Sequence, residues 1–292
     1  MMSAAHTLAD LRRSLAEAAL RSAPAARGRV SFGPAGLDEV LGGGLVRAAL
    51  HEVYAPGSPD IAAATGFAVG LAIRAAGRRP ILWVRQDYLD SETGALHPPG
   101  LSELGLDPAR VLLVRARDAE GVLRAGAEAA RCGALGAALI EPWGDPRLFD
   151  LTATRRLALA AEGSGVATLL LRASASQSPS AARTRWLVQA LPSRALEANA
   201  PGDPAFRIRL LRQRGGLSEC EWRVEWSRDR QCFAERPGFA ERPGYPERPA
   251  LPDKPDQTRH SPDVAPLPRP LVSLPADGQV AAGEAGPRRR AG

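Results

Sequence analysis

Short apolar runs alternate with longer helix-like stretches through the middle of the chain. Between residues 30 and 171, three Ala- and Leu-rich stretches that are long enough for helices lie between the apolar runs. Strands that are apolar on both faces and alternate with helices are typical of a parallel sheet covered on both sides. The sequence therefore predicts an α/β fold with a mostly parallel sheet. The predicted strands are residues 50–54, 81–84, 111–114, 137–140 and 167–171, and the predicted helices are residues 61–76, 118–132 and 148–162.

After residue 205 the apolar positions recur at every second residue instead. Phe206 and Ile208 alternate with arginines, and beyond Gly215 a second alternating run contains Trp222 and Trp226. This period predicts an antiparallel hairpin at the C-terminal side of the sheet, with one apolar and one charged face. We interpret the two tryptophans as core packing, and a base-stacking platform is the alternative.

Both ends of the chain differ from this central part. Leu8, Leu11 and Leu15 recur at helical spacing, which predicts an amphipathic helix and linker over residues 1–28. Such a helix packs on its own domain or docks on a neighbouring subunit. Twelve of the 26 prolines fall within residues 233–292, where the motif Glu-Arg-Pro recurs. Proline lacks the backbone N–H that helices and central strands need, so we expect a disordered Pro/Arg-rich tail, either passive or able to recruit a partner.

Charge and composition narrow the class of protein. A formal net charge of +6 permits nucleic-acid contact without requiring it. No apolar run is long enough to cross a membrane, and the first residues lack a secretory signal, so we expect a soluble cytoplasmic protein. Cys132, Cys220 and Cys232 form no CxxC pair, so we expect core thiols, with no metal and no bound cofactor.

The chemistry of a phosphate-binding loop is missing where its context is present. The pattern GxxxxGK[ST] follows a core strand, and its lysine and hydroxyl hold phosphate oxygens and magnesium. Here Ala55 and Asp60 stand at the two glycine positions, and Ile61 and Ala62 replace the lysine and the hydroxyl residue. A carboxylate at the start of the next helix repels a phosphate. The degenerate loop comprises Ala55, Pro56, Gly57, Ser58, Pro59, Asp60, Ile61 and Ala62.

No shifted alignment within the predicted domain restores the lysine, because Lys254 in the tail is the only lysine in the chain. The strand over residues 137–140 ends at Glu141, where a magnesium-organising Asp is usual. Glu141 can still serve in that role. After the strand over residues 81–84 come Gln86, a poor base, and Asp87, which leaves a base nearby. Taken together, these positions predict no ATP hydrolysis and no catalytic residues.

The segment over residues 32–45, FGPAGLDEVLGGGL, resembles the entry motif of RecA-type ATPases, in which an LDxhLGGGh turn leads into the strand before the nucleotide loop. With the missing lysine, residues 5–232 resemble the ImuA family of RecA-like proteins. That resemblance implies a RecA-like core over residues 29–232 and a nucleoid-associated role in the SOS response to DNA damage. It implies translesion synthesis and mutagenesis alongside an inactive Y-family polymerase homologue and an error-prone C-family polymerase, with RecA as a further candidate partner.

Three functional hypotheses remain open at this point. The leading one is a noncatalytic adaptor of error-prone translesion synthesis. The second is a RecA-type ATP-dependent DNA-binding protein whose unorthodox nucleotide site uses Glu141, Asp87 and an arginine. The third is a DNA-binding subunit that contacts the phosphate backbone through Arg183 and Arg185, in the segment that takes the place of the mobile DNA-binding loop of RecA.

Overall fold

A computed structural model describes residues 28–173, 175, 177–214 and 219–236. The chain separates into two compact units, Met1–Glu247 and Arg248–Gly292, and every described residue belongs to the first. The predicted N-terminal helix and the tail from residue 237 onward lie outside the described residues. The strands are β1 Arg29–Val30, β2 Leu45–Val46, β3 Ala49–Ala55, β4 Ile81–Gln86, β5 Val111–Ala116, β6 Ala137–Glu141, β7 Ala167–Ala173, β8 Thr184–Leu191, β9 Ala205–Gln213, β10 Cys220–Ser227 and β11 Cys232–Glu235.

Two short strands and six helices accompany the main sheet in the described part of the chain. β1 and β2 pair antiparallel with each other, apart from the large sheet. Short 3-10 turns cover Ser58–Asp60, Pro108–Arg110 and Glu197–Asn199. The α-helices are α1 Ala35–Val40, α2 Ile61–Ala76, α3 Leu89–Thr93, α4 Pro98–Glu103, α5 Ala119–Arg131 and α6 Leu151–Ser164.

The other nine strands of the described residues form one sheet in the order β11-β10-β9-β8-β3-β7-β6-β4-β5. From β8 to β5 all neighbouring strands are parallel, whereas β9, β10 and β11 extend the sheet as an antiparallel meander. The predictions of an α/β fold with a mostly parallel sheet and of a C-terminal antiparallel hairpin are confirmed. The alternating pattern did not predict β8, which lies between β3 and the hairpin.

Helices cover the parallel strands on both faces. The chain moves from β3 to β5 toward one edge of the sheet and returns through β6 and β7. Because crossover connections are right-handed, connections that run in opposite directions place their helices on opposite faces. Accordingly, α2 packs with Val53, Trp83 and Leu169 in one core, while α5 and α6 pack over Leu50 and Leu170 in the other.

An aromatic cluster fills the core between α2 and the antiparallel strands. The ring of Phe67 on α2 lies 5.9 Å from Trp186 and 5.2 Å from Phe233 between ring centroids. Trp226 is buried and donates its indole N–H to the Leu104 carbonyl at 2.9 Å. Trp222 packs partly buried at 6.2 Å from Trp186. The interpretation of the tryptophans as core packing is therefore confirmed.

The folded part extends beyond the boundary that the proline content predicted. The proline content assigns residues 233–236 to the tail, but Phe233 lies in β11 and is buried in the aromatic cluster. The first proline of the tail is Pro237, so the boundary predicted from composition lies four residues too early. The three cysteines are half-buried rather than core thiols. Among the described residues, no helix is both long and apolar enough to span a bilayer.

Candidate functional site

The degenerate phosphate loop lies at the carboxyl end of the parallel strands. It connects β3 to α2, and β7, β6 and β4 end at the same edge of the sheet. Ligands of open α/β sheets bind outside this edge, where the loops after the strands meet. The site that the sequence singled out is therefore in the position where a nucleotide would be expected.

The backbone of this loop offers few free donors to a phosphate. The N–H of Asp60 donates to the Gly57 carbonyl at 3.0 Å, which closes a 3-10 turn over Ser58–Asp60. The N–H of Ile61 donates to the Ser58 carbonyl. Pro56 and Pro59 have no backbone N–H at all. A cradle for phosphate oxygens needs several convergent N–H groups, and this loop has committed or lost four of them.

Asp60 places a carboxylate at the N-terminal end of α2. The side chain is buried, and its Oδ1 accepts the backbone N–H of Ala190 on β8 at 3.0 Å. The carboxylate therefore fixes the loop to the neighbouring strand instead of capping the helix. A negative charge is already present where the helix N-terminus would attract an anion.

The last two loop positions provide neither a cation nor a hydroxyl. Ile61, the first residue of α2, is buried in the core, and Ala62 is exposed. The eight predicted loop residues are therefore stabilised by hydrogen bonds within the protein, namely those of the 3-10 turn and the bond from Ala190 to Asp60.

Glu141 lies at the end of β6 and accepts hydrogen bonds from two side chains of the neighbouring strand β4. Its Oε2 accepts the indole N–H of Trp83 at 3.0 Å and the Nε–H of Arg85 at 2.8 Å. The side chain is 1% exposed. Burial raises the pKa of Glu141, and Arg85 and Trp83 oppose that rise by stabilising the carboxylate. A metal would have to compete with a buried ion pair for this oxygen.

Arg85 is the centre of a network that sequence reasoning missed. Besides Glu141, its guanidinium donates to Asp90 at 2.7 Å and to the Gly94 carbonyl at 2.9 Å. A third group, the Thr93 hydroxyl, accepts from it at 2.8 Å. Arg85 therefore ties α3 to β4 and β6. An arginine inside the apolar strand sequence ILWVRQ was the signal that could have revealed a buried ion pair.

Gln86 and Asp87, the two candidate bases at the end of β4, interact with other groups. The side-chain oxygen of Gln86 accepts the backbone N–H of Trp143 at 3.0 Å. Asp87 forms an exposed ion pair with Arg115 at 3.3 Å. Among the described positions, no three or more His, Cys, Asp or Glu side chains form a group that could hold a metal ion.

Arg183 and Arg185 do not share a surface. Arg185 is buried, with its Nε 2.8 Å from Oε2 of Glu52, which also accepts the Tyr54 hydroxyl at 2.9 Å. Burial, followed by the charge of Glu52, raises the pKa of Tyr54 and keeps its hydroxyl protonated. Arg183 instead lines a cavity of about 680 Å³ with Arg29, Val46 and Glu162. The cavity lies at the amino ends of β3 and β8, at the opposite edge of the sheet from the degenerate loop.

Comparison with known proteins gives one clear likeness. The chain is 32% identical over 276 residues to the protein ImuA of Caulobacter vibrioides, found in two strains, and the match covers 89% of this chain and 95% of the relative. No family model matches the chain. The chain belongs to the ImuA family.

Proposed function

We propose that the chain is a noncatalytic, RecA-like adaptor of damage-induced mutagenesis. In this role it links a Y-family polymerase homologue and an error-prone C-family DNA polymerase during translesion synthesis, and it hydrolyses no ATP. Membership of the ImuA family supports the process, and the sheet with its degenerate loop after β3 supports the RecA-like core.

The noncatalytic part of the proposal rests on the hydrogen bond from the Ala190 N–H of β8 to the Asp60 carboxylate. A phosphate at this loop would have to displace the bond from Ala190 and would meet the Asp60 carboxylate. Like charges about 4 Å apart repel by roughly 1 to 4 kcal/mol between bulk water and a protein surface. The alternative, an ATP-dependent enzyme that uses Glu141, requires in addition that Trp83 and Arg85 release that side chain.

Calorimetric titration tests the noncatalytic part directly. ATP with magnesium, added to the full-length chain at millimolar concentration, should give no heat of binding. An active RecA-type ATPase titrated in parallel provides the positive control. Saturable binding that disappears in a Glu141→Gln variant would support the ATP-dependent alternative instead.

Affinity capture tests the adaptor part. The tagged full-length chain should retain both polymerase partners from extracts of cells treated with a DNA-damaging agent. Versions without residues 1–27 or without residues 237–292 keep every described residue, and their capture shows which end the partners need. Failure of the full-length chain to retain either polymerase would contradict the adaptor role.

A further inference from the structure

The edge strand of the sheet is the first copy of a repeated sequence. Residues 233–238 read Phe-Ala-Glu-Arg-Pro-Gly, and residues 239–244 repeat these six letters without change. A third, altered copy follows as Tyr-Pro-Glu-Arg-Pro over residues 245–249. The first copy provides most of β11. The chain therefore carries a second, identical version of a segment that it already uses as a strand.

The place that β11 fills selects an aromatic side chain. Phe233 is 1% exposed, and its ring centroid lies 4.9 Å from that of Trp226 and 5.2 Å from that of Phe67. Gly70 on α2 leaves room for this pair, because a Cβ there would lie 2.9 Å from both Phe233 Cζ and Trp226 Cε3. The second copy offers the same ring at Phe239, and the third offers Tyr245.

Hydrogen bonds at the same place hold the backbone of residues 233–236 and the side chain of Arg236. The N–H of Phe233 donates outward to the Phe32 carbonyl at 2.8 Å, and the N–H of Arg236 donates inward to the Arg223 carbonyl at 2.9 Å. The Arg236 side chain is buried and donates to the Pro192 carbonyl. We call this binding place the β11 slot; it is formed by β10, the loop at Phe32, Pro192 and α2, and it receives an aromatic residue and an arginine three positions later.

The hydrogen-bonding pattern distinguishes the second copy from the third. N–H groups alternate in direction along a strand, so Ala234 points its N–H toward Glu225 on β10, its partner in the register. The second copy has Ala240 at this position and keeps the donor. The third copy has Pro246 there and lacks it. Residues 239–242 therefore fit the slot, whereas residues 245–248 do not.

We propose that the β11 slot is a binding site for the sequence Phe-Ala-Glu-Arg, and that residues 239–242 of the same chain occupy it in exchange with residues 233–236. β11 then exists in two registers, six residues apart. The exchange lengthens the connection after Ser227 from residues 228–231 to residues 228–237. Loop-closure entropy disfavours the longer connection by only about fourfold. The contacts of Phe233, Ala234 and Arg236 are repeated by residues of the same type six positions later.

The occupant is the chain's own tail because covalent linkage gives it an advantage. A segment joined by a short linker has an effective concentration of about millimolar, which exceeds the concentration of free protein in any ordinary experiment. The second register releases residues 233–236 from the sheet. It thereby gives the chain a folded form in which a copy of the motif is free for another molecule.

Unfolding of full-length variants tests the exchange. Phe233→Ala should lower the melting temperature by only about 2 to 4 °C, because residues 239–242 take over the slot. Phe239→Ala alone should change nothing, but the double variant Phe233→Ala/Phe239→Ala should lose at least twice as much as Phe233→Ala. Phe233→Ala/Tyr245→Ala is the matched control and should behave like Phe233→Ala. A Phe233→Ala variant that is unfolded, or that loses nothing more on addition of Phe239→Ala, would overturn the proposal.

A disulfide trap tests the register itself. Cys232 lies opposite Ser227 in the present register, and Gly238 takes that position after a shift of six residues. In a Cys132→Ser/Cys220→Ser background, the set Ser227→Cys/Cys232→Ser/Gly238→Cys should form an intramolecular disulfide between positions 227 and 238 under mild oxidation. Phe233→Ala should raise its yield several-fold, and Ala240→Pro, which copies Pro246, should abolish it. No crosslink, an unchanged yield with Ala240→Pro, or a crosslink only between two chains would each contradict the proposal.

Discussion

At the scale of single residues, burial fixes protonation states before any ligand is considered. His51 on β3 is fully buried, and its Nε2 lies 2.8 Å from the Val46 carbonyl, which requires a donor. Desolvation lowers the pKa of His51 to about 4, so the ring is neutral near pH 7. Nδ1 of the neutral ring accepts the Thr184 hydroxyl proton at 2.7 Å, and that oxygen accepts the Trp186 indole N–H at 2.8 Å.

This histidine makes the fold sensitive to acid. An unfolded histidine has a pKa of about 6.5, so the unfolded chain binds the extra proton first and stability falls as the pH drops from about 6.5 to 4. We expect a loss of about 3 kcal/mol in the free energy of unfolding over this range. Urea unfolding at pH 7.5 and pH 4.5 measures it. His51→Gln should reduce the difference, because glutamine does not titrate in this range.

Glu141 provides a second test at this scale. Removal of its carboxylate by Glu141→Ala leaves Arg85 buried with one fewer charge partner, and this should cost about 3 to 5 kcal/mol in the free energy of unfolding. Glu141→Gln keeps an acceptor for Trp83 and Arg85 and should cost less than half as much. Urea unfolding midpoints distinguish the two variants. Wild-type stability in Glu141→Ala would contradict a structural role for this side chain.

At the scale of elements, α2 is shaped by what packs on it. Its face toward the antiparallel strands contains Gly66 and Gly70, spaced by one helical turn. A Cβ at Gly66 would lie 3.5 Å from the Phe206 ring, which is ordinary contact. A Cβ at Gly70 would lie 2.9 Å from the rings of Trp226 and Phe233, which is too close. Two glycines of one helix thus have different roles.

Alanine substitutions should separate these roles. Gly66→Ala should stabilise the protein by up to about 1 kcal/mol, because alanine favours a helix and reduces the freedom of the unfolded chain. Gly70→Ala should destabilise it by about 1 to 3 kcal/mol, since the aromatic pair must move. Thermal unfolding of the two variants gives the comparison. Equal shifts of the melting temperature would show that the crowding at Gly70 is relieved without cost.

At the scale of the whole molecule, the last strand completes the core. β11 supplies Phe233 to the aromatic cluster, and Arg236, the residue after β11, donates to the Pro192 carbonyl. A chain that ends after Arg236 should unfold with the same midpoint and the same dependence on urea as the full-length protein. A chain that ends after Gln231 should lose at least about 3 kcal/mol, because a buried aromatic residue and a strand are removed. Equal stability of the two truncated chains would place the end of the fold before β11.

The sequence by itself determined the class of fold and the absence of a lysine from the phosphate loop, because periodicity and residue identity are local properties of the chain. It did not show what stabilises the loop, since Asp60 and Ala190 are 130 residues apart. The pairing of Arg85 with Glu141 and the burial of Arg185 against Glu52 likewise depend on which strands become neighbours. Proline content suggested a tail from residue 233, and only packing against Trp226 and Phe67 placed Phe233 inside the core. Tertiary structure decided these points because burial and charge pairing arise between segments that are distant in sequence.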